Sequence, residues 1–222
     1  LAPVPDLATG PVTKVGGFDA PESAYFHAAS GAWYVSNMAL SDLSKLSVKD
    51  GRGWISKLDR DGKVLEARWF EAGLSTPAGI RGTDTKLVVA NIDELVVIDV
   101  ASRAAQRIAV SGAGLLNDVA VGPDGRFYAT DTFTNTIWSA QVGAAAQKVV
   151  SDASLNLPNG ILALPGRLLV ASTGPFDQPE VKGELWGLTL DPVALTALGF
   201  QGKFDGLEQD GQSLLISENP TA

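Results

Sequence analysis

Short apolar runs recur along the chain with polar turns between them, and no long stretch holds the 3.6-residue period of a helix. Residues 77–110 show the unit. Gly79-Ile80-Arg81 is followed by Lys86-Leu87-Val88-Val89-Ala90, Glu94-Leu95-Val96-Val97-Ile98 and Gln106-Arg107-Ile108-Ala109-Val110. Turn signals such as Gly82-Thr83-Asp84 separate the four runs, so each reads as a short β-strand. The next unit repeats the plan, with Pro123-Asp124-Gly125 as its first turn and Asn135-Thr136 opening its third strand. Another runs through Arg167-Leu168-Leu169-Val170-Ala171 and Gly183-Glu184-Leu185-Trp186-Gly187-Leu188. The pattern predicts an all-β chain.

The units share a register. Pro77-Ala78-Gly79-Ile80, Leu116-Asn117-Asp118-Val119, Pro158-Asn159-Gly160-Ile161 and Phe204-Asp205-Gly206-Leu207 each place a small or polar residue before a Gly or Asp, then an aliphatic one. Twelve residues after each key position, a second run ends at Ala90, Ala129, Ala171 or Ser217. An earlier copy runs from Pro21-Glu22 to Ser36-Asn37 and is two residues longer. The key positions Glu22, Ala78, Asn117, Asn159 and Asp205 are spaced by 56, 39, 42 and 46 residues. A repeat of about 40–50 residues built from short strands predicts a β-propeller, with 1–222 as a single domain. The long first spacing is accounted for by an insertion over 38–53, and a shorter one covers 174–179. Both follow the second strand of a unit, so both are expected at one end, framing the channel mouth.

The chain stops inside its fifth repeat, at Glu218-Asn219-Pro220. A propeller of six-bladed type, of which these residues make about four and a half blades, would need roughly 60 more residues at about 40 per blade. The natural protein is therefore expected to continue past Ala222.

Composition narrows the chemistry. With 222 residues, 45% of them hydrophobic, the chain can bury a sizeable core. A net charge of −8 argues against nucleic acid, and no apolar run is long enough to span a bilayer. Neither nucleic acid nor membrane is expected as a partner; a small-molecule substrate is, to a monomer or weak oligomer. There is no cysteine, and His27 is the single histidine, so thiolate chemistry and any histidine pair are excluded. The Leu1-Ala2-Pro3-Val4-Pro5 start reads as a processed or truncated end. Periplasmic or secreted placement suits the absence of cysteine and the acidic balance, although many cytosolic chains share both.

The first strand of each blade lines a propeller's axis, so equivalent residues at the starts of those strands converge. Glu22, Asn117, Asn159 and Asp205 would meet there, offering two carboxylates and two amide oxygens. An isolated Asn-Gly or Asp-Gly is ordinarily a turn, but turn chemistry alone would not select oxygen donors at one register in four repeats. Hard oxygen ligands suit Ca²⁺ first, then Mg²⁺ and Mn²⁺, with Zn²⁺ last for want of His or Cys. Asp118 is expected to support Asn117 from behind. Asp131, just past a second strand, is read either as a turn residue or as a carboxylate reaching the channel. His27 and the five tryptophans read as packing residues.

Glu22 in Pro-Glu-Ser, Asn117-Asp118 ahead of Gly122-Pro-Asp-Gly-Arg-Phe-Tyr128, Pro158-Asn159-Gly160-Ile161 and Asp205-Gly206-Leu207 resemble the senescence-marker-protein/gluconolactonase (regucalcin-like) family of six-bladed propellers. That family is related to paraoxonase and diisopropyl fluorophosphatase, and the resemblance covers about residues 18–219. It implies a divalent metal in the channel with Glu22, Asn159 and Asp205 as ligands. It gives Asn117 as a ligand or a substrate contact. Gluconolactonases of the family typically carry an Arg two residues before that Asn; Leu115 stands there in this chain.

The expected activity is metal-dependent hydrolysis of a lactone or related ester, with Asp205 and Asn117 as the catalytic candidates. The cation would polarise the carbonyl, and Asp205 would act as general base or nucleophile. Leu115 and Leu116 would favour neutral, less polar substrates over aldonolactones. The alternative is a non-catalytic propeller that binds a ligand or protein around a structural metal.

Overall fold

The computed structural model describes residues 13–219. Residues 1–12 and 220–222, including the Leu1–Pro5 start, lie outside them. The described chain folds into five antiparallel sheets that form a β-propeller. The first contains β1 (Pro21–His27), β2 (Ala32–Asn37), β3 (Trp54–Leu58) and β4 (Val64–Phe70). The second contains β5 (Pro77–Gly82), β6 (Lys86–Asn91), β7 (Glu94–Asp99) and β8 (Ala105–Ala109). The third contains β9 (Leu116–Val121), β10 (Phe127–Asp131), β11 (Thr136–Ala140) and β12 (Gln147–Ser151). The fourth contains β13 (Pro158–Leu164), β14 (Arg167–Ser172), β15 (Gly183–Leu190) and β16 (Val193–Gly202). A hairpin of β17 (Phe204–Asp210) and β18 (Ser213–Glu218) follows. Among the described residues, helix is confined to three single 3₁₀ turns.

Strand alternation builds the core. In β6, Val88 and Ala90 face the third sheet, where they pack with Val119, Phe127 and Trp138. Leu87 and Val89, one residue out of phase, face the first sheet and pack with Tyr34, Trp69 and Ile80. A middle strand is thus covered on both faces, which is why Leu-Val-Val-Ala carries no polar member. Two further clusters fill the spaces between the third and fourth sheets and between the fourth sheet and the hairpin. Each fully buried aliphatic side chain contributes about 1.5–3 kcal/mol over its exposed state. Outer strands such as β8 and β16 are mostly exposed; β8 is correspondingly polar or small, while β16 carries Val193, Leu198 and Phe200 on its surface.

The innermost strands β1, β5, β9, β13 and β17 lie side by side in chain order. Each carries a β-bulge at the same place. Pro21 pairs with Asn37, and pairing then resumes at Ala24 with Val35, so Glu22 and Ser23 together oppose Ser36. The same skip places Ala78–Gly79 opposite Ala90, Asn117–Asp118 opposite Thr130, Asn159–Gly160 opposite Ala171, and Asp205–Gly206 opposite Ser217. The second run of the third repeat, expected to end at Ala129, extends to Asp131, and the residue opposite the bulge is Thr130. The turn over 122–126 is one residue longer than its counterpart in the second sheet, which shifts the count by one.

In every repeat but the fourth, the residue that ends the second strand anchors the segment entering the inner strand. Asn37 Oδ1 accepts from the Asp19 N–H at 3.0 Å, and Asn91 Oδ1 from Ser75 N–H at 2.9 Å and Thr76 N–H at 3.2 Å. Glu218 Oε1 accepts from Lys203 N–H at 3.1 Å. For the fourth sheet, Asn135 Oδ1 from the β10–β11 turn takes this part, accepting from Leu157 N–H at 2.8 Å. These anchors fix where the bulges point.

Candidate functional site

The bulge delivers the key residues to one place. Glu22, Ala78, Asn117, Asn159 and Asp205 all line a cavity of about 300 Å³ at the end of the channel where the inner strands begin. Glu22, Asn159 and Asp205 also border a larger cavity of about 730 Å³ on the other side, with Ser23, Arg81 and Asp118. The four predicted oxygen donors therefore form a polar ring at the smaller cavity, and three of them also border the larger one. Ala78 is the member without a donor.

The ring is short of positive charge. Loss of hydration holds the Glu22 carboxyl well above the ordinary carboxylate range; the Asp118 and Asp205 charges add to this, and Arg81 opposes it. The exposed part of Glu22 faces the two cavities. Asp205 is also raised, by burial and then by Asp118, against a hydrogen bond from Asn159. Asp118 is raised by burial, with Arg81 as the main opposing influence. Asn117 Oδ1 is buried with no hydrogen-bond partner, a costly state for an amide oxygen. The Asn159 amide nitrogen donates to Thr173 Oγ1 at 3.2 Å, which orients it.

An orphaned buried amide oxygen beside carboxyls of raised pKa fits a hard divalent cation, since all four donors are oxygen. Among the described residues no group of three His, Cys, Asp or Glu side chains is placed to hold a metal, so any such site depends on the two asparagines.

Asp118 spans two blades. Its Oδ1 accepts from the Val119 N–H at 2.8 Å and its Oδ2 from the Ile161 N–H at 3.1 Å. It borders the larger cavity beneath Asn117. Asp131 is corrected as a channel residue. It is fully buried, lines neither cavity, and accepts from Gly114 and Leu115 N–H at 3.0 Å each and from Trp138 Nε1 at 3.2 Å. It acts by holding the strand entry that carries Leu115. Leu115 does line the smaller cavity.

His27 is buried away from the ring, its Nε2 donating to Thr83 O at 2.8 Å and its Nδ1 accepting from Ser30 N–H at 3.1 Å. Trp69 and Trp138 pack between sheets, and Trp186 packs, half-buried, against the separate cluster between the third and fourth sheets. Trp33 instead borders the larger cavity, against Phe26 at 5.1 Å between ring centroids.

Arg81 was not anticipated. It reaches across the axis from the second repeat to the fifth, donating from Nη2 to Leu207 O at 3.0 Å. The same nitrogen lies 3.8 Å from Asp118 and 3.9 Å from Glu208. Its signal was a single charge inside the otherwise uncharged inner strand Pro77–Gly82.

Solved structures resemble this fold at low identity. A gluconolactonase by family designation superposes with a TM-score of 0.67 and 19% identity, covering 92% of this chain and 73% of its own. A catalytically inactive virginiamycin B lyase from Staphylococcus aureus, solved with quinupristin, gives a TM-score of 0.65 at 13% identity. It covers 89% of this chain, which spans 63% of its length. A nidogen/laminin complex gives 0.60 at 16% identity, covering 74% of this chain and 66% of the matched chain. At these identities the likeness is one of fold. No protein-family profile and no curated protein sequence matches the chain.

Proposed function

We propose that the ring holds one divalent cation, Ca²⁺ first, and that the protein hydrolyses a lactone or related ester. The observation that carries this is the ring itself: four oxygen donors from four repeats, brought to one cavity end, with the Asn117 oxygen unpaired and the carboxyls of raised pKa. A cation held there would draw on the substrate carbonyl oxygen and offset the charge that develops on it.

The chain's own residues supply the rest. Glu22, Asn117, Asn159 and Asp205 would hold the cation, with Asp118 keeping the Asn117 bulge against the fourth sheet. Asp205 is half-buried and borders both cavities, so it can meet a water from one side and substrate from the other. It would take the proton as the water oxygen bonds to the carbonyl carbon. It would return that proton to the alkoxide as the C–O ester bond breaks. General base catalysis of this kind contributes about 10²–10⁴-fold.

The test pairs chelation with Asp205→Asn. Turnover of a lactone and ester panel should disappear with chelator and return with Ca²⁺. Asp205→Asn should keep the metal while losing at least 10²-fold in kcat. Turnover that survives in Asp205→Asn with metal still bound removes Asp205 as the base. Bound metal with no turnover on any substrate favours a binding propeller instead.

A further inference from the structure

The smaller cavity has walls unlike its floor. Above the oxygen ring it is lined by Met38, Leu43 and Leu46 from the 38–53 insertion, by Leu115, by Phe133 beyond β10, and by Phe176 from the connection between β14 and β15. Leu43, Phe133 and Phe176 are 73%, 47% and 60% exposed. Scattered exposed apolar residues need no explanation, but three from separate loops converging on one polar floor do. No Lys or Arg lines this cavity. An anionic group entering it would meet Glu22 and Asp205 with no cationic side chain to receive it.

The Phe176 loop is held in place from below. Lys203 is 6% exposed, and its Nζ donates to Pro175 O at 2.6 Å and Gln178 O at 2.9 Å. Burying an ammonium costs hydration that these carbonyls offset. Lys203 stands two residues before Asp205, so the loop and the ring are tied to the same strand entry. The 38–53 insertion is fastened separately, by Lys49 Nζ to Asp93 Oδ2 at 2.6 Å and Ser47 Oγ to Gly114 O at 3.4 Å.

We propose that this mouth is a subsite for an alkyl or aryl substituent, so that the substrates are neutral lactones or esters bearing an apolar chain. Lys203 is the positioning residue that sets Phe176 over it. The proposal rests on the hydrolase reading of the ring. A carbonyl that reaches the ring through the smaller cavity leaves its substituent between Leu115 and Phe176. The volume of about 300 Å³ admits a chain of several carbons. Each methylene fully buried there should raise kcat/KM about fourfold.

The experiment uses the full chain and a γ-alkyl lactone series from γ-valerolactone to γ-decalactone, beside gluconolactone. Calorimetry of γ-nonalactone binding is run in chelator. The expected result is kcat/KM rising with chain length until the cavity fills, and nonalactone binding without metal. Phe176→Ser should lower the decalactone-to-valerolactone ratio of kcat/KM at least tenfold and weaken nonalactone binding similarly. Lys203→Met should lower the same ratio, mainly through KM, a split that general loss of folding does not produce. Turnover that is flat with chain length, or that favours gluconolactone, overturns the subsite and leaves the hydrolase reading standing. Nonalactone binding that Phe176→Ser weakens, with no turnover under any added cation, sinks the hydrolase reading and keeps the subsite. Neither binding nor turnover removes both.

Discussion

Asp118 Oδ2 accepts the Ile161 N–H at 3.1 Å, joining the innermost strands of two adjacent blades directly behind the proposed cation ring. Ser23 Oγ does the same for the Ile80 N–H at 3.3 Å between the first and second blades. The residue after each key position can thus serve the fold while the key residue serves the site. The two roles are neighbours in sequence and separate in space.

That division gives a first prediction. Asp118→Ala leaves the Val119 and Ile161 N–H groups buried and unpaired, at about 1–3 kcal/mol each, partly offset by the removal of a repelling charge. Thermal unfolding should fall by roughly 5–10 °C, at about 2–4 °C per kcal/mol for a chain of this size. A melting point equal to that of the parent protein would show that the cross-blade bond contributes little.

Gly160 leads to a second prediction. A Cβ there would lie 2.3 Å from Asp205 O and 3.0 Å from the Gly206 backbone. The inner strands approach too closely for any side chain, so Gly160→Ala must push β17 away from β13. Overpacking of this kind costs about 1–3 kcal/mol. Because the displaced residue is Asp205, calorimetric Ca²⁺ affinity should fall along with stability. Gly166→Ala, where the added Cβ meets no atom within 4 Å but φ is +75°, should cost stability without touching affinity.

The ring carboxyls give the pH dependence. Glu22 and Asp205 titrate above their ordinary range in the folded protein, so the folded state binds protons more tightly than the unfolded one. Stability of the metal-free protein should therefore rise as pH falls from neutral, through the raised folded pKa values, levelling at the ordinary carboxylate pKa of about 4. Asp42, Asp99 and Asp152 are shifted the other way by hydrogen bonds from Ser44, Ser102 and Ser154, and lose their contribution at lower pH still. Saturating Ca²⁺ should remove the acid-side gain. Unfolding scans across pH, with and without Ca²⁺, would expose the error if metal-free stability fell steadily on acidification.

Asn117→Ala separates metal from fold. Deleting an orphaned buried oxygen relieves a penalty of about 1–3 kcal/mol, against a small cavity left behind. The metal-free melting point should hold or rise. In the parent protein, Ca²⁺ at a hundredfold over its Kd adds about 2.7 kcal/mol, or roughly 5–10 °C. That increment should shrink in Asn117→Ala, and an undiminished one would take Asn117 out of the ligand set.

The blades were legible because burial on both faces forces runs such as Leu87–Ala90 and Leu95–Ile98 to be apolar, while turns must be polar. The key register was legible because all five inner strands place their bulge one residue after a Pro, Leu or Phe. Other features depended on parity. The odd turn over 122–126 places Thr130 opposite the bulge, one residue later in the count than Ala90, Ala171 and Ser217 in their repeats. A two-against-one bulge also resets which later residues face the axis, so counting in twos from Ala78 does not bring Arg81 into the channel. Asp131 and Asp118 look alike in sequence. Only the N–H groups around each decide that Asp118 borders the cavity and Asp131 folds back onto its own blade.

Because the key residue sits in a bulge, its identity is free of the ladder that holds the sheet together. The second repeat carries Ala78 in the position where four others carry an oxygen, and its strands pair in the same register. Point substitution can therefore rewrite the ring one blade at a time, adding or deleting an oxygen donor without renegotiating the architecture. A scaffold of this kind can change its chemistry faster than its shape, and Ala78 is the place where this chain has left a letter blank.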